Sequence, residues 1–314
     1  MSVAGTAASP DFGPCPLRDA RHAAAQKSGS AASAVESPRG ELRLRIAERS
    51  GRSVASRQFH EGALRVLRPH YLDGSGQVCY VMVNPGGAYL GADLFVVEVE
   101  VEAGADLLLT TQSATKVYRT PGSFAEQRMN IKLGEGARLE LLPDQLIAYR
   151  EASYRQNSHI SLHPTSCFVM AEVITPGWSP DGGAFRYEEV RLRNEIRVEA
   201  AHGEELLALD NLLIRPPVSD VAGLGFMEGF SHLGSLVVVD PRVDQVLADE
   251  LARKAAEFEA YSGVSLTRTI AGTTGLVLRS LSNSTEELNT LLGACTGFLR
   301  KRWYGQEPLN LRKY

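Results

Sequence analysis

Between Glu41 and Pro216 almost every stretch of the chain alternates apolar with polar residues, and this restricts the fold more than any other feature of the sequence. ELRLRIAER, QVCYVMV, FVVEVEVEA, RMNIKL, ARLELL, SCFVMAEV and VRLRNEIRVEA repeat with a period of two, which puts one face of a strand in a core and the other in solvent. Three longer stretches echo one another. VEVEAGADLLLTTQ, NIKLGEGARLELLPDQ and HISLHPTSCFVMAEV each read as strand, small turn, strand, with turns at Gly104, Gly136 and Pro164, about 30 residues apart. The expectation is a mainly β chain with an elongated β-helical or stacked-sheet body. A parallel α/β sheet needs long helical crossovers, and the pattern offers none before residue 240.

Beyond the β run the period changes. Val243, Val246, Leu247, Leu251, Ala255 and Phe258 fall on one stripe, predicting an amphipathic helix over Val243–Tyr261 with Asp240 and Pro241 as its start signal. SLTRTIAGTTGLVLRSL then reads as a hairpin, and Ser284 followed by Glu286 and Glu287 opens a second helix to about Tyr304. The predicted organisation is therefore a disordered leader over 1–40, a β body over 41–240 and a helix-hairpin-helix part over 241–314 that packs on the body. The leader is rich in Ala, Ser, Gly and Pro, and Pro10, Asp11, Pro14 and Pro16 interrupt it, unlike the apolar core of a secretory signal.

Composition narrows the function classes. A net charge of −4 and a pI near 6.0 do not provide the basic surface that phosphate neutralisation requires, so nucleic acid is not an expected partner. No apolar run approaches the roughly 18 to 20 residues of a membrane span, so a soluble protein without membrane partners is expected. Cys15, Cys79, Cys167 and Cys295 lie far apart without metal-finger spacing and read as small apolar residues of a reducing cytoplasm.

Catalytic signatures are sparse. The only lysine followed by Ser or Thr is Lys27, which lacks a glycine-rich loop, so there is no P-loop. Gly86 and Gly87 follow a strand but precede no helix, and read as a tight turn. His159 and His163 have helical zinc spacing but sit in an alternating segment, where four residues span roughly 13 Å, too far to share an ion. Glu98, Glu100 and Glu102 alternate with Val97, Val99 and Val101, which fits a solvated sheet face; a carboxylate path for a divalent cation is the sharper alternative.

The run Thr110–Thr120, TTQSATKVYRT, packs hydroxyls, an amide, an ammonium, a phenol and a guanidinium directly behind an apolar strand. A sheet that turns polar there suggests a functional seam, beside the plainer reading that Thr and Tyr favour strands while Lys and Arg cover them. Lys116 and Tyr118 flank Val117 and share a face in an extended strand, so an enzyme of unknown class using this pair is one reading. No acid, nucleophile elbow or oxyanion motif accompanies them. A purely structural β interaction module is another reading.

Three ordered segments, NPGGAYLGADLF, TTQSATKVYRT and LELLPDQLIAY, resemble the urease accessory protein UreD, called UreH in some systems. The family's pattern falls on Asn84, Pro85, Gly86, Gly87, Asp93, Thr110, Thr111, Gln112, Lys116, Tyr118, Arg119, Leu142, Pro143 and Ile147, with a weaker echo at Arg191, Arg193 and Glu195. A single proline before Gly86, Leu141 where tryptophan is common and Ala184 near a usual glutamate mark a divergent member; the likeness is good over Glu41–Pro216 and poor beyond. The resemblance implies a helical-coil β fold, no catalysis of its own and no permanent cofactor. It also implies a cytoplasmic scaffold that docks on urease apoprotein with UreF and the GTPase UreG, so that nickel and carbon dioxide can build the urease metallocentre. On that footing Thr111, Gln112, Lys116, Tyr118 and Arg119 form the docking or tunnel seam, and Asp93, Asp144 and Glu172 are the transient Ni(II) contacts. Lys116 and Arg119 are assigned to carboxylates and partner residues because cations repel a cation.

Overall fold

A computed structural model of the protein describes residues 39–311. The leader predicted over 1–40 lies outside the described residues except for its last two positions, as does Cys15. In chain order the elements are β1 (Gly40–Arg49), β2 (Arg52–Gly62), β3 (Arg65–Val66), β4 (Val78–Val83), β5 (Leu94–Val101), β6 (Asp106–Thr111), β7 (Thr115–Val117), β8 (Ala125–Leu133), β9 (Arg138–Leu142), β10 (Leu146–Ala148), β11 (Ser153–Leu162), β12 (Cys167–Ile174), β13 (Glu189–Ala200), β14 (Gly203–Ile214), β15 (His232–Val239), α1 (Gln245–Ala255), β16 (Tyr261–Arg268), β17 (Thr274–Ser282) and α2 (Thr285–Tyr304).

The alternating segments stack as coils of a β-solenoid. Each coil sends one strand to a seven-stranded sheet, ordered β14-β13-β11-β8-β5-β1-β2, and the next to a ten-stranded sheet running β16-β17-β15-β12-β9-β6-β4-β3 with β7 and β10 beside it. Successive coils lie parallel: Val97 sits beside Met129, 32 residues on, and Ile131 beside Ile160, 29 residues on. The sequence echo is this stacking distance. Gly104 and Gly136 adopt φ of 70° and 60°, which suits glycine, and the turns are laced together where Gly104 N–H donates to Glu135 O at 2.8 Å and Gly136 N–H to Thr165 Oγ1 at 3.0 Å.

Period two decides which side chains enter the core. Val97, Val99 and Val101 point between the sheets and are buried, whereas Glu98 and Glu100 face outward and pair with Arg43 and Arg45 at 3.1 and 3.3 Å. The glutamate row is thus a solvated, arginine-paired face and lines no interior path. One core cluster fills the space between the sheets. A second forms where α1 and α2 cover the outer face of the ten-stranded sheet. With cover on both sides, β15 can carry the unbroken run Leu236, Val237, Val238 and Val239, all buried.

Two helices form, and α2 matches its expected span: Ser284 caps it through Oγ, and Gly305 ends it at φ 63°. The first is shorter than its apolar stripe suggested. Asp244, not Asp240, is its N-cap, with Oδ1 accepting from Leu247 N–H at 2.8 Å, because the Asp240 carboxylate is held by the Arg242 backbone and guanidinium. It ends at Ala255, and Tyr261 opens β16, while Phe258 keeps its place in the helical cluster from a turn. The hairpin β16–β17 then pairs with β15 and extends the same sheet. None of the described helices is long and apolar enough to cross a membrane. Cys79, Cys167 and Cys295 are all buried, as expected of small apolar residues.

Candidate functional site

Between the two sheets lies a cavity of about 90 Å³ whose wall includes Asn84, Gln112, Lys116, Asp144, Gln156 and Glu172. Gln112 and Ser113 line it and are exposed, so the cavity opens to the surface beside them. Thr111, at the end of β6, fastens the loop across this mouth: its Oγ1 donates to Asp144 Oδ2 at 3.1 Å and accepts from Asp144 N–H at 2.8 Å. Lys116 comes from β7, which is held between the loop at Tyr89 and β10.

Deeper in, the wall is made by residues at inward positions where the alternation calls for apolar side chains. Tyr89 OH donates to Gln127 Oε1 at 2.6 Å, and Tyr154 OH to Gln156 Oε1 at 3.2 Å. Gln156 Nε2 donates to Glu172 Oε1 at 2.7 Å, and Asn194 Nδ2 to Glu172 Oε2 at 2.9 Å. Glu172 is enclosed between the sheets but keeps part of its surface open to the cavity. That enclosure raises its carboxyl above the ordinary value; the Gln156 and Asn194 amides and nearby Arg279 act against it, and Asp210 adds to it. Tyr89 and Tyr154 are likewise pushed up by burial and stay protonated donors.

The polar side chains continue as two facing rows across the coils. In the seven-stranded sheet Ser158 pairs with Asn194, and Asn194 with Asp210. In the ten-stranded sheet Glu172 pairs with Ser235, and Ser235 with Arg279. The rows meet at their ends in an Asp210–Arg279 ion pair that is about a third to a fifth exposed. Ser158 Oγ, Asn194 Oδ1 and Ser235 Oγ are buried with no hydrogen-bond partner among the described residues. Buried oxygens of this kind are costly unless water or a passing ligand satisfies them. The cavity reaches Gln156, Ser158 and Glu172, and the polar rows continue beyond it through Asn194 and Ser235 to the Asp210–Arg279 pair, with Glu172 as the one carboxylate between the two ends.

Ni(II) takes nitrogen and oxygen ligands, and one carboxylate among amide and hydroxyl oxygens would hold it weakly. Among the described residues no cluster of three or more His, Cys, Asp or Glu could chelate a metal ion.

The residues singled out in the sequence divide between two places. Thr111, Gln112, Lys116, Asp144 and Glu172 gather at the cavity. Tyr118 and Arg119 do not. The Tyr118 ring packs edge-on against Tyr149, centroids 4.8 Å apart, and Tyr149 lies 4.9 Å from Trp178, forming an outer aromatic ladder. Arg119 pairs with Glu151 at 2.7 Å on the same surface. Asp93 is also away from the cavity; its carboxylate accepts from Leu90 N–H at 2.8 Å and closes a turn. His159 faces outward, and Gly87, at φ 78°, serves the turn expected of it. Gln127, Gln156, Ser158, Asn194 and Ser235 were not anticipated. Their signal was polar residues at inward parity, as in SYRQNSHISL and VRLRNEIRV, where Gln156, Ser158 and Asn194 replace apolar side chains.

Residues 38–313 match the family described as "UreD urease accessory protein". The chain belongs to the UreD family. The match takes in both helices, so the likeness does not fade after Pro216. A urease accessory protein UreD of Paenarthrobacter aurescens is 79% identical over 276 residues, covering 88% of this chain and 95% of the relative. The UreD of Kocuria rhizophila is 45% identical over an alignment covering 100% of this chain and 99% of its own, and that of Bacillus cereus 33% over 89% and 100%. UreD membership is thus carried by the whole described body.

Proposed function

We propose that this UreD-family chain is an accessory scaffold of urease maturation that lets nickel pass through its β body to the urease apoprotein. The observation that supports this most directly is the polar file between the sheets, a feature that a purely structural β module has no reason to keep in its core. The energy source lies elsewhere: the partners on this reading are a UreF-like protein and a UreG-like GTPase, with the complex assembled in the cytoplasm. The mouth at Thr111, Gln112, Lys116 and Asp144 receives the ion, and Glu172 is its one interior carboxylate. Lys116 orients carboxylates at the mouth and does not ligate the metal. Tyr118 and Arg119, with Tyr149 and Trp178, supply a docking surface. The chain acts without catalysis of its own and without a permanent cofactor. An enzyme built on Lys116 and Tyr118 is disfavoured because one lines the cavity and the other packs in the outer ladder.

The test is co-expression of apo-urease and its other maturation proteins with and without this chain, reading urease activity and nickel per active site. Loading that depends on the chain supports the role. Equal loading without it would contradict the proposal.

A further inference from the structure

The far end of the interior file is closed by one ion pair. We propose that Asp210 and Arg279 form a latch over the exit of the polar file, and that Arg279 opens it by swinging into the space beside Gly263. This rests on the passage reading above and adds a control point to it.

Three observations converge on the pair. First, both polar rows end there: Asn194 is followed by Asp210 on β14, the last strand of its sheet, and Ser235 by Arg279 on β17. Second, the pair is partly solvent-exposed, 34% for Arg279 and 22% for Asp210, while Asn194 and Ser235 behind it are buried, so it stands between the polar rows and bulk water. Third, the residue opposite Arg279 on the edge strand β16 is Gly263, and a Cβ built there meets nothing within 4 Å. Opposed residues on adjacent strands point to the same face, so the missing side chain leaves room beside the guanidinium. Gly263 has no positive φ, so the turn geometry that elsewhere demands glycine does not explain it.

The rest of this end is fastened independently. Thr267 Oγ1 donates to Leu207 O at 2.7 Å, and Ala271 N–H to Glu205 Oε2 at 2.9 Å, tying β16 and its turn to β14. The latch can therefore part while the strand ends stay together. Its charges also have a sign. Asp210 attracts a dication leaving the file, Arg279 repels it, and the pair together is neutral.

Full-length variants co-expressed with apo-urease and the other maturation proteins at limiting nickel separate these roles, with nickel per urease as the readout. Asp210→Asn leaves an unpaired cation at the exit, and loading falls several-fold. Arg279→Gln leaves the carboxylate alone, and loading stays at or above the unsubstituted level. Gly263→Val changes no charge and suits a β-strand, yet it fills the swing space, so loading falls while the melting temperature holds or rises. The double variant Asp210→Asn with Arg279→Gln replaces the ion pair by an amide pair and preserves loading. Equal losses in Asp210→Asn and Arg279→Gln would mean a merely structural pair and overturn the latch, as would unchanged loading in Gly263→Val. Omission of the chain is run alongside: if loading survives omission, the passage reading fails too, whereas loss on omission with equal loading in all variants overturns the latch alone.

Discussion

Asn194 Nδ2 donates to Glu172 Oε2 across the gap between the two sheets at 2.9 Å, while the other amide atom of Asn194, Oδ1, is buried without a partner. The amide is thus half used. Glu172 can be changed to an amide with no net loss of hydrogen bonds, because Asn194 can turn over and present its oxygen, its Nδ2 then taking the place of Oδ1 as the unpartnered atom.

Glu172→Gln should therefore fold with a stability change within about 1 kcal/mol, since each hydrogen bond finds a replacement. Nickel loading of urease should drop, because the only interior carboxylate of the file is gone. Chemical denaturation and nickel per urease check the two halves.

The same substitution gives a pH signature. Enclosure raises the Glu172 carboxyl above its ordinary 4.5, so the folded state binds its proton more tightly than the unfolded state does. Its contribution to stability is greatest below 4.5 and is lost as pH rises through the folded value. Glu172→Gln should gain on the unsubstituted chain at neutral pH, and the gap in melting temperature should close as pH falls below the ordinary carboxylate value.

Arg300 tests the helical cover. From α2 it reaches Glu140, Gln77 at 3.0 Å and Asp73 at 3.1 Å, while Glu140 also holds the buried Arg138. Removing Glu140 takes the carboxylate from the buried Arg138 and leaves Arg300 with Asp73 alone, whereas removing Arg300 leaves the Glu140–Arg138 pair intact. Glu140→Gln should cost about 3–5 kcal/mol and Arg300→Met less, as measured by urea unfolding.

Two glycines should respond differently to alanine. Gly177, at φ 84°, would place a Cβ 2.2 Å from Ala148 O, whereas Gly87, at φ 78°, has open space around it. Gly87→Ala should cost about 1–2 kcal/mol from backbone strain alone. Gly177→Ala should cost more, because the coil corner between Ala148 and Trp178 must shift; thermal melts compare them.

How far the structure could be read from the residues depends on parity. The alternation around Val97, Val99 and Val101 and the turns at Gly104 and Gly136 were enough to foresee stacked β coils, because period two and left-handed turns are local properties. The polar run TTQSATKVYRT drew attention to the part of the chain where Thr111, Gln112 and Lys116 line the cavity. The interior was not, because Gln156, Ser158 and Asn194 look like ordinary strand residues until register brings them to one side of one gap. Helix α1 was overextended for a similar reason: Phe258 continues the apolar stripe in a turn that is no longer helical. Lys116 and Tyr118 do not share the face that an extended strand would give them, since β7 ends at Val117 and Tyr118 already belongs to the outer corner.

Ser158→Leu gives the most direct measurement. Its hydroxyl has no partner to lose, and leucine would block the file without touching the outer surface. Overpacking should cost about 1–3 kcal/mol, leaving a folded chain that still co-purifies with its partners. The predicted result is an assembled complex whose urease receives much less nickel. Nickel loading at the unsubstituted level, with the complex assembled and the file blocked, would show that the ion takes another path.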